Sequence, residues 1–243
     1  MRRWIELSLD RVFPGMGWRP LYLSAAATWL MVLYYHHGYS TEAPEWFIRR
    51  SQALVGVELV ALHQHFWAHA SAVVLLMLAP LGLVWLGEGW GPRELGFRVK
   101  GALPEIAVVL GLWAAMIPLI WLVHDLPAFR AVYPRLTAAG TSRELFLLFE
   151  GAYLVKWIAW EFFFRGFMLF AFQRDFMQRS VLVSTIPFTL MHYGKPELEM
   201  ASAMIAGLVL CFIALRSRSI WPGVLLHWLV ASTMDFFASS WWR

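Results

Sequence analysis

Long apolar stretches separated by short polar punctuation run through the whole chain, and they are too long and too uniformly apolar to be the buried faces of soluble helices. By hydropathy and length the candidate spans stand at about 21–36, 67–87, 103–124, 144–172, 177–192, 198–215 and 220–238. The segment 52–66 carries Glu58, His63 and His65; it reads as a helix lying at the interface or buried among other helices, and as an eighth span if it crosses. The expected fold is all-α: a polytopic membrane helix bundle of about seven transmembrane helices, six to eight, around a polar chamber. Ala203-xxx-Gly207 and Gly111-xxx-Ala115 are small-xxx-small pairs that let helices approach closely. Pro104 and Pro222 fall near helix starts, where a missing N–H costs little.

Composition agrees with a lipid solvent. Of 243 residues 60% are hydrophobic and 15% charged, with 15 Trp and 18 Phe; an ordinary soluble domain carries roughly 25% charged residues. The N-terminal stretch has two Arg, then Glu6 and Asp10, and no apolar run of signal-peptide length. It reads as an interfacial amphipathic helix. The lone Cys211 excludes a disulfide framework within the chain and a cysteine zinc site, and its apolar surroundings make it a small buried hydrophobe. The net charge of +4 comes from Lys and Arg gathered in loops, which in a membrane protein reports orientation and contact with anionic lipids; no nucleic-acid partner is expected. The larger share of those charges falls on the N-terminal side, so the N-terminus is expected in the cytoplasm and the protein in the cytoplasmic membrane.

Against this background the polar residues that interrupt spans carry the information: Lys156, Glu161, Arg165, His192, Glu199, His227 and Asp235. Left facing lipid, an Asp, Lys or Arg costs on the order of 2.5–3.5 kcal/mol, so these groups are expected to face inward. Glu161 and Arg165 are four apart and share a helix face, where they can pair. In STIPFTLMHYGKPELEM, a span of about 15 residues reaches His192 and is broken by Gly194, Lys195 and Pro196 before Glu197 and Glu199 open the next helix. Such a span rises roughly 22 Å, short of a ~30 Å hydrocarbon core, and a helix broken at membrane depth lines protein or a wet cavity. Counted at 1.5 Å per residue from one shared membrane end, Glu161, His192 and His227 fall at similar depth on three helices. One carboxylate and two imidazoles can activate a water without a nucleophilic side chain. His63, His65 and His69 read as interfacial histidines.

At these residues the sequence resembles the CPBP family, the CAAX protease and bacteriocin-processing group of glutamic-type intramembrane proteases. Glu161-xxx-Arg165 is similar to that family's Glu-Glu-xxx-Arg motif, Phe188-xxx-His192 to its Phe-xxx-His motif, and His227 to the start of its His-xxx-Asn motif. The likeness covers about residues 144–238; the chain divides into N-terminal membrane helices over 1–140 and a catalytic helix core over 141–243. The resemblance implies an endopeptidase acting on a membrane-embedded or lipid-anchored peptide substrate among membrane lipids, with Glu161 and His192 activating water, His227 donating to the oxyanion and Arg165 fixing Glu161. Two positions depart from the pattern: Trp160 stands for the first Glu of the pair and Ala231 for the Asn. Glu199 is the best substitute for the missing carboxylate, and in that reading Lys195 belongs to the site too; Asp235 is a weaker candidate. The runs Glu-Phe-Phe-Phe-Arg-Gly and His-x-Gly-Lys-Pro-x-x-Glu are similar to those of a subgroup of the family. No cofactor is expected, zinc held by Glu161, His192 and His227 being the minority reading. The competing functions are a catalytically silent scaffold or immunity protein that binds a membrane peptide, and a small transporter.

Overall fold

A computed structural model describes residues 17–39 and 42–242, and among the described residues there is no strand. The amphipathic start expected at the N-terminus lies outside them. Helix α1 covers Trp18–Leu33 and runs on as a wider, π-helical stretch, Tyr34–Tyr39. Helix α2 is Glu45–Val55, α3 is Val60–Glu88 and α4 is Leu103–Val123. Helix α5, Arg143–Glu161, continues as the π-helical stretch Phe162–Ala171 and a last turn, Phe172–Phe176. Then come α6, Ser180–Leu190, α7, Glu197–Ser217, and α8, Trp221–Ala238.

Helices stand at each of the seven expected positions, and α3, α4 and α7 are long and apolar enough to cross a membrane. The chain is an all-α membrane helix bundle. One boundary differs from expectation: the segment 52–66 is not one helix. Gly56 takes a left-handed conformation, φ 72°, that ends α2, three residues without regular structure follow, and 60–66 are the first turns of α3.

Polarity is turned inside out relative to a soluble protein. Trp29, Trp85, Leu86, Leu122 and Phe212 are exposed, while Glu150, Lys156, Glu161, Arg165 and Asp235 are buried. Helix α5 is the axis of the bundle: it packs on α3, α6 and α8, and α8 is flanked by α4 and α7. Its N-terminus is set by Ser142, whose Oγ accepts the Leu145 N–H at 3.3 Å. The run Phe162, Phe163, Phe164 and Phe167 is wholly buried, as expected of a helix apolar on all sides and enclosed by others. Of the two small-residue pairs, Ala203 and Gly207 lie buried at the α6–α7 contact, where a Cβ on Gly207 would come 2.9 Å from Thr185. Gly111 and Ala115 are exposed and nothing packs within 4 Å of Gly111, so that pair makes no helix contact.

Candidate functional site

Helix α6 is shorter than expected. Its 11 residues rise about 16 Å at 1.5 Å per residue. The chain then turns through 191–194, with Gly194 at φ 84°, and α7 starts behind Pro196. The last carbonyls of a helix have no partner within it, and the His192 side chain takes one of them: its Nδ1 donates to the Phe188 carbonyl at 2.8 Å. Phe188 is itself buried beside Trp160 and Phe164, so the imidazole is held by a packed turn.

Glu161 and Arg165 are both fully buried and pair at 3.4 Å. The guanidinium also donates to the Gly207 carbonyl at 3.4 Å and lies 4.1 Å from the centre of the Phe188 ring. The same carboxylate oxygen, Oε1, accepts a hydrogen bond from His227 Nδ1 at 2.8 Å, while Oε2 has no partner among the described residues and lies against the backbone of Gly223. His227 stacks on Trp157 with centroids 3.8 Å apart. The His192 and His227 rings are parallel within 6° and 6.5 Å apart. The structure thus brings Glu161, Arg165, His192 and His227 together from α5, the end of α6 and α8. It differs from the resemblance in one respect: the hydrogen bond of Glu161 goes to His227 and not to His192.

Glu199 is not in this group. It accepts from the Tyr133 hydroxyl at 2.7 and 2.8 Å and pairs with Lys195 at 3.3 Å, and none of its hydrogen bonds or ion pairs reaches Glu161, His192 or His227. Lys195 donates to the Tyr133 oxygen at 2.5 Å; burial pulls its ammonium down to about 8, and burial pushes the Tyr133 phenol well above its ordinary range. Asp235 stands with this second cluster, accepting the Arg135 N–H at 2.6 Å. Glu150, on the Glu161 face of α5 eleven residues earlier, accepts from Ser232 at 2.5 Å. Tyr133, Arg135 and Glu150 were missed by sequence reasoning. Glu150 carries the same signal as the others, a charge inside an apolar span; Tyr133 and Arg135 carry none, since their roles come from a loop folded back over the bundle.

The remaining candidates are structural. His63 is buried, its Nδ1 2.7 Å from Ser51 Oγ and its Nε2 2.6 Å from the Val57 carbonyl, so it pins the α2–α3 turn, and His69 is buried on Tyr153; both face protein. Among the described residues no group of three His, Cys, Asp or Glu side chains is placed to hold a metal ion, so Glu161, His192 and His227 do not form the three-ligand set that the zinc reading needs. Cys211 is buried, as expected.

Fold and site together define a helical integral membrane protein with a buried carboxylate–imidazole centre. Residues 142–233 match the family model Rce1-like, type II CAAX prenyl endopeptidase Rce1-like, which bears out the CPBP-type resemblance and supports protease activity. The matched segment runs from the N-cap of α5 into α8 and contains all three motif helices. Comparison with curated proteins and with solved structures gave no match.

Proposed function

We propose that this protein is an intramembrane endopeptidase that hydrolyses a peptide bond of a membrane-embedded or lipid-anchored substrate with water activated by His227 and His192, Glu161 orienting and charging His227. The observation that carries the reading is the 2.8 Å hydrogen bond from His227 Nδ1 to the buried Glu161 carboxylate, beside a second imidazole held parallel 6.5 Å away. A carboxylate and a carbonyl only accept, so each Nδ1 bears the proton and each neutral ring keeps its lone pair on Nε2. A water donating one hydrogen to each Nε2 presents its own lone pairs to a carbonyl carbon. As the oxygen attacks, a proton passes to His227, whose positive charge Glu161 stabilises; the imidazolium then gives that proton to the departing amide nitrogen, leaving a carboxylic acid and an amine. Arg165 pairs with Glu161 and holds it in place. The membrane is taken to be the cytoplasmic membrane with the N-terminus inside.

The test uses the purified protein in detergent, an S-prenylated peptide and a transmembrane peptide, with products identified by mass. Cleavage is expected in the wild type, with losses of at least about hundredfold for Glu161→Gln, His227→Ala and His192→Ala; circular dichroism checks that each variant is folded, because Glu161→Gln also leaves the buried Arg165 without its counter-charge and lowers stability. Rates at the wild-type level in all three variants would refute the proposal. A catalytically silent scaffold is favoured by one observation, the buried Trp160 where the resemblance expects an acid, and the same assay separates it: binding of the peptide with no cleavage.

A further inference from the structure

Lys156, on α5, is more than nine-tenths buried, yet its ammonium makes no hydrogen bond and no ion pair among the described residues. It meets only three aromatic rings, at 3.8 Å from the centre of Trp157, 4.6 Å from Trp160 and 5.0 Å from Tyr153. A buried lysine that merely braces a fold donates to a carbonyl or a carboxylate, because an unpaired buried charge is costly. Here the carboxylates within electrostatic reach, Glu161 and Glu199, already have their own partners: Arg165 and His227 for the first, Lys195 and Tyr133 for the second. Position 160, one turn further on, holds an indole where an acid would have paired with it. The walls add two further donors: Trp157 Nε1 and Trp160 Nε1 are buried and unpartnered among the described residues.

We propose that Lys156, walled by Tyr153, Trp157 and Trp160, is a subsite for a carboxylate of the peptide substrate. This rests on the peptidase reading for its choice of ligand. A carboxylate brings the counter-charge that Lys156 lacks and acceptor oxygens for its ammonium and for the two indole N–H groups. The place is right for substrate recognition. The ammonium and the His227 ring each lie 3.8 Å from the centre of the Trp157 ring, so the two are at most twice 3.8 Å, or about 7.6 Å, apart. An extended chain advances roughly 3.3–3.6 Å per residue. Adding a hydrogen bond of about 2.8 Å from the ammonium to the carboxylate gives at most about 10 Å, so the bound carboxylate sits within about three residues of the bond being cut, and it belongs either to the free C-terminus of the substrate or to an Asp or Glu side chain within that spacing.

The probe is a dansyl-labelled, S-farnesylated peptide ending three residues after the modified cysteine, made as the free acid, as the C-terminal amide, as the amide with Asp in the last position, and as the acid lengthened by four residues. Affinity is measured by fluorescence anisotropy with the full-length protein in nanodiscs, and cleavage separately by mass. Wild type is expected to bind the short acid roughly ten- to hundredfold more tightly than the amide, the range of a charge-assisted hydrogen bond, and to lose that preference for the lengthened acid. A gain for the Asp amide assigns the side-chain source; no gain assigns the C-terminus. Lys156→Met should bind acid and amide alike, at the affinity of wild type for the amide, and Lys156→Arg should keep the preference. Equal affinity of the wild type for the acid, the amide and the Asp amide, which needs no variant, would overturn the subsite, as would a preference that survives in Lys156→Met. Absent cleavage with the acid preference intact defeats the peptidase reading and leaves the subsite standing; cleavage without any preference does the reverse.

Discussion

Gly223→Ala tests the Glu161–His227 hydrogen bond by adding a single methyl group. A Cβ at position 223 would lie 2.8 Å from Glu161 Oε2 and 3.5 Å from its Cδ and from Leu210 Cδ2, where ordinary contact begins at 3.4 Å. The backbone of α8 is packed in the bundle and the carboxylate is the end of a side chain, so the carboxylate gives way, by about 0.6 Å, the shortfall between those distances. The bond from His227 Nδ1 is 2.8 Å long; a retreat of that size takes it beyond the ~3.2 Å limit of a sound hydrogen bond. Hydrogen bonds to charged groups are worth about 1.5–3 kcal/mol, so kcat should fall roughly ten- to hundredfold. Stability should fall by less than that, because Arg165 still neutralises Glu161 and Ala, intrinsically better than Gly in a helix by up to about 1 kcal/mol, offsets part of the lost bond. The assay pairs peptide cleavage with thermal denaturation in the same detergent. Gly151→Ala, at a helical glycine with nothing within 4 Å, is the control and should leave the rate unchanged while raising stability by up to about 1 kcal/mol. A Gly223→Ala protein with the wild-type rate would sink the argument, as would a rate loss matched by an equal loss of fold.

Three further outcomes are expected. Arg165→Met leaves the fully buried Glu161 carboxylate without its guanidinium and should cost about 3–5 kcal/mol of stability, read as a drop in denaturation temperature that Glu161→Gln in the same chain partly restores. Gly207→Ala places a methyl 2.9 Å from Thr185 and 3.1 Å from Phe188; this overpacking should cost about 1–3 kcal/mol and slow cleavage, since the Phe188 carbonyl holds His192, whereas Gly111→Ala should do neither. Ala231→Asn adds a donor one turn beyond His227, on its own face of α8, and should raise kcat by about tenfold; an unchanged rate would mean that the oxyanion lies elsewhere.

What the sequence made legible follows from the solvent it implies. In so apolar a chain a buried charge has few reasons to exist, so Glu161, Arg165, His192 and His227 stood out one by one, and rise per residue was enough to set them at one depth. Helix positions were legible for the same reason, because lipid demands long continuous stretches. Azimuth was not. The helix-period argument gives the angle between residues on one helix but not which neighbour that face meets, and so Glu161 pairs with His227 where resemblance pointed to His192, and Glu199 turns to Tyr133 and Lys195. Loops were the least legible of all: nothing in the order of residues around Pro134 announces that Tyr133 and Arg135 return to the carboxylates of α7 and α8. The break at Gly56 was readable in principle, as a glycine between two apolar helices, but the polar His63 beyond it drew the segment toward an interfacial reading.

The shortness of α6 bears on the bilayer itself. Leu182, Ile186 and Leu190 are its exposed apolar side chains, a band of only about 12 Å along the helix axis at 1.5 Å per residue. Hydrocarbon about 30 Å thick cannot meet so short a band without deforming, and lipids adjoining a short segment thin at a cost of fractions of a kcal/mol per ångström. Beside α6 the membrane should therefore be dimpled, and a chain anchored there by a lipid or a helix end rides lower than in the flat bilayer. For a peptidase of the kind proposed, hydrophobic mismatch at this one helix would bring the anchored end of a peptide toward the level of His192 before any side chain has touched it.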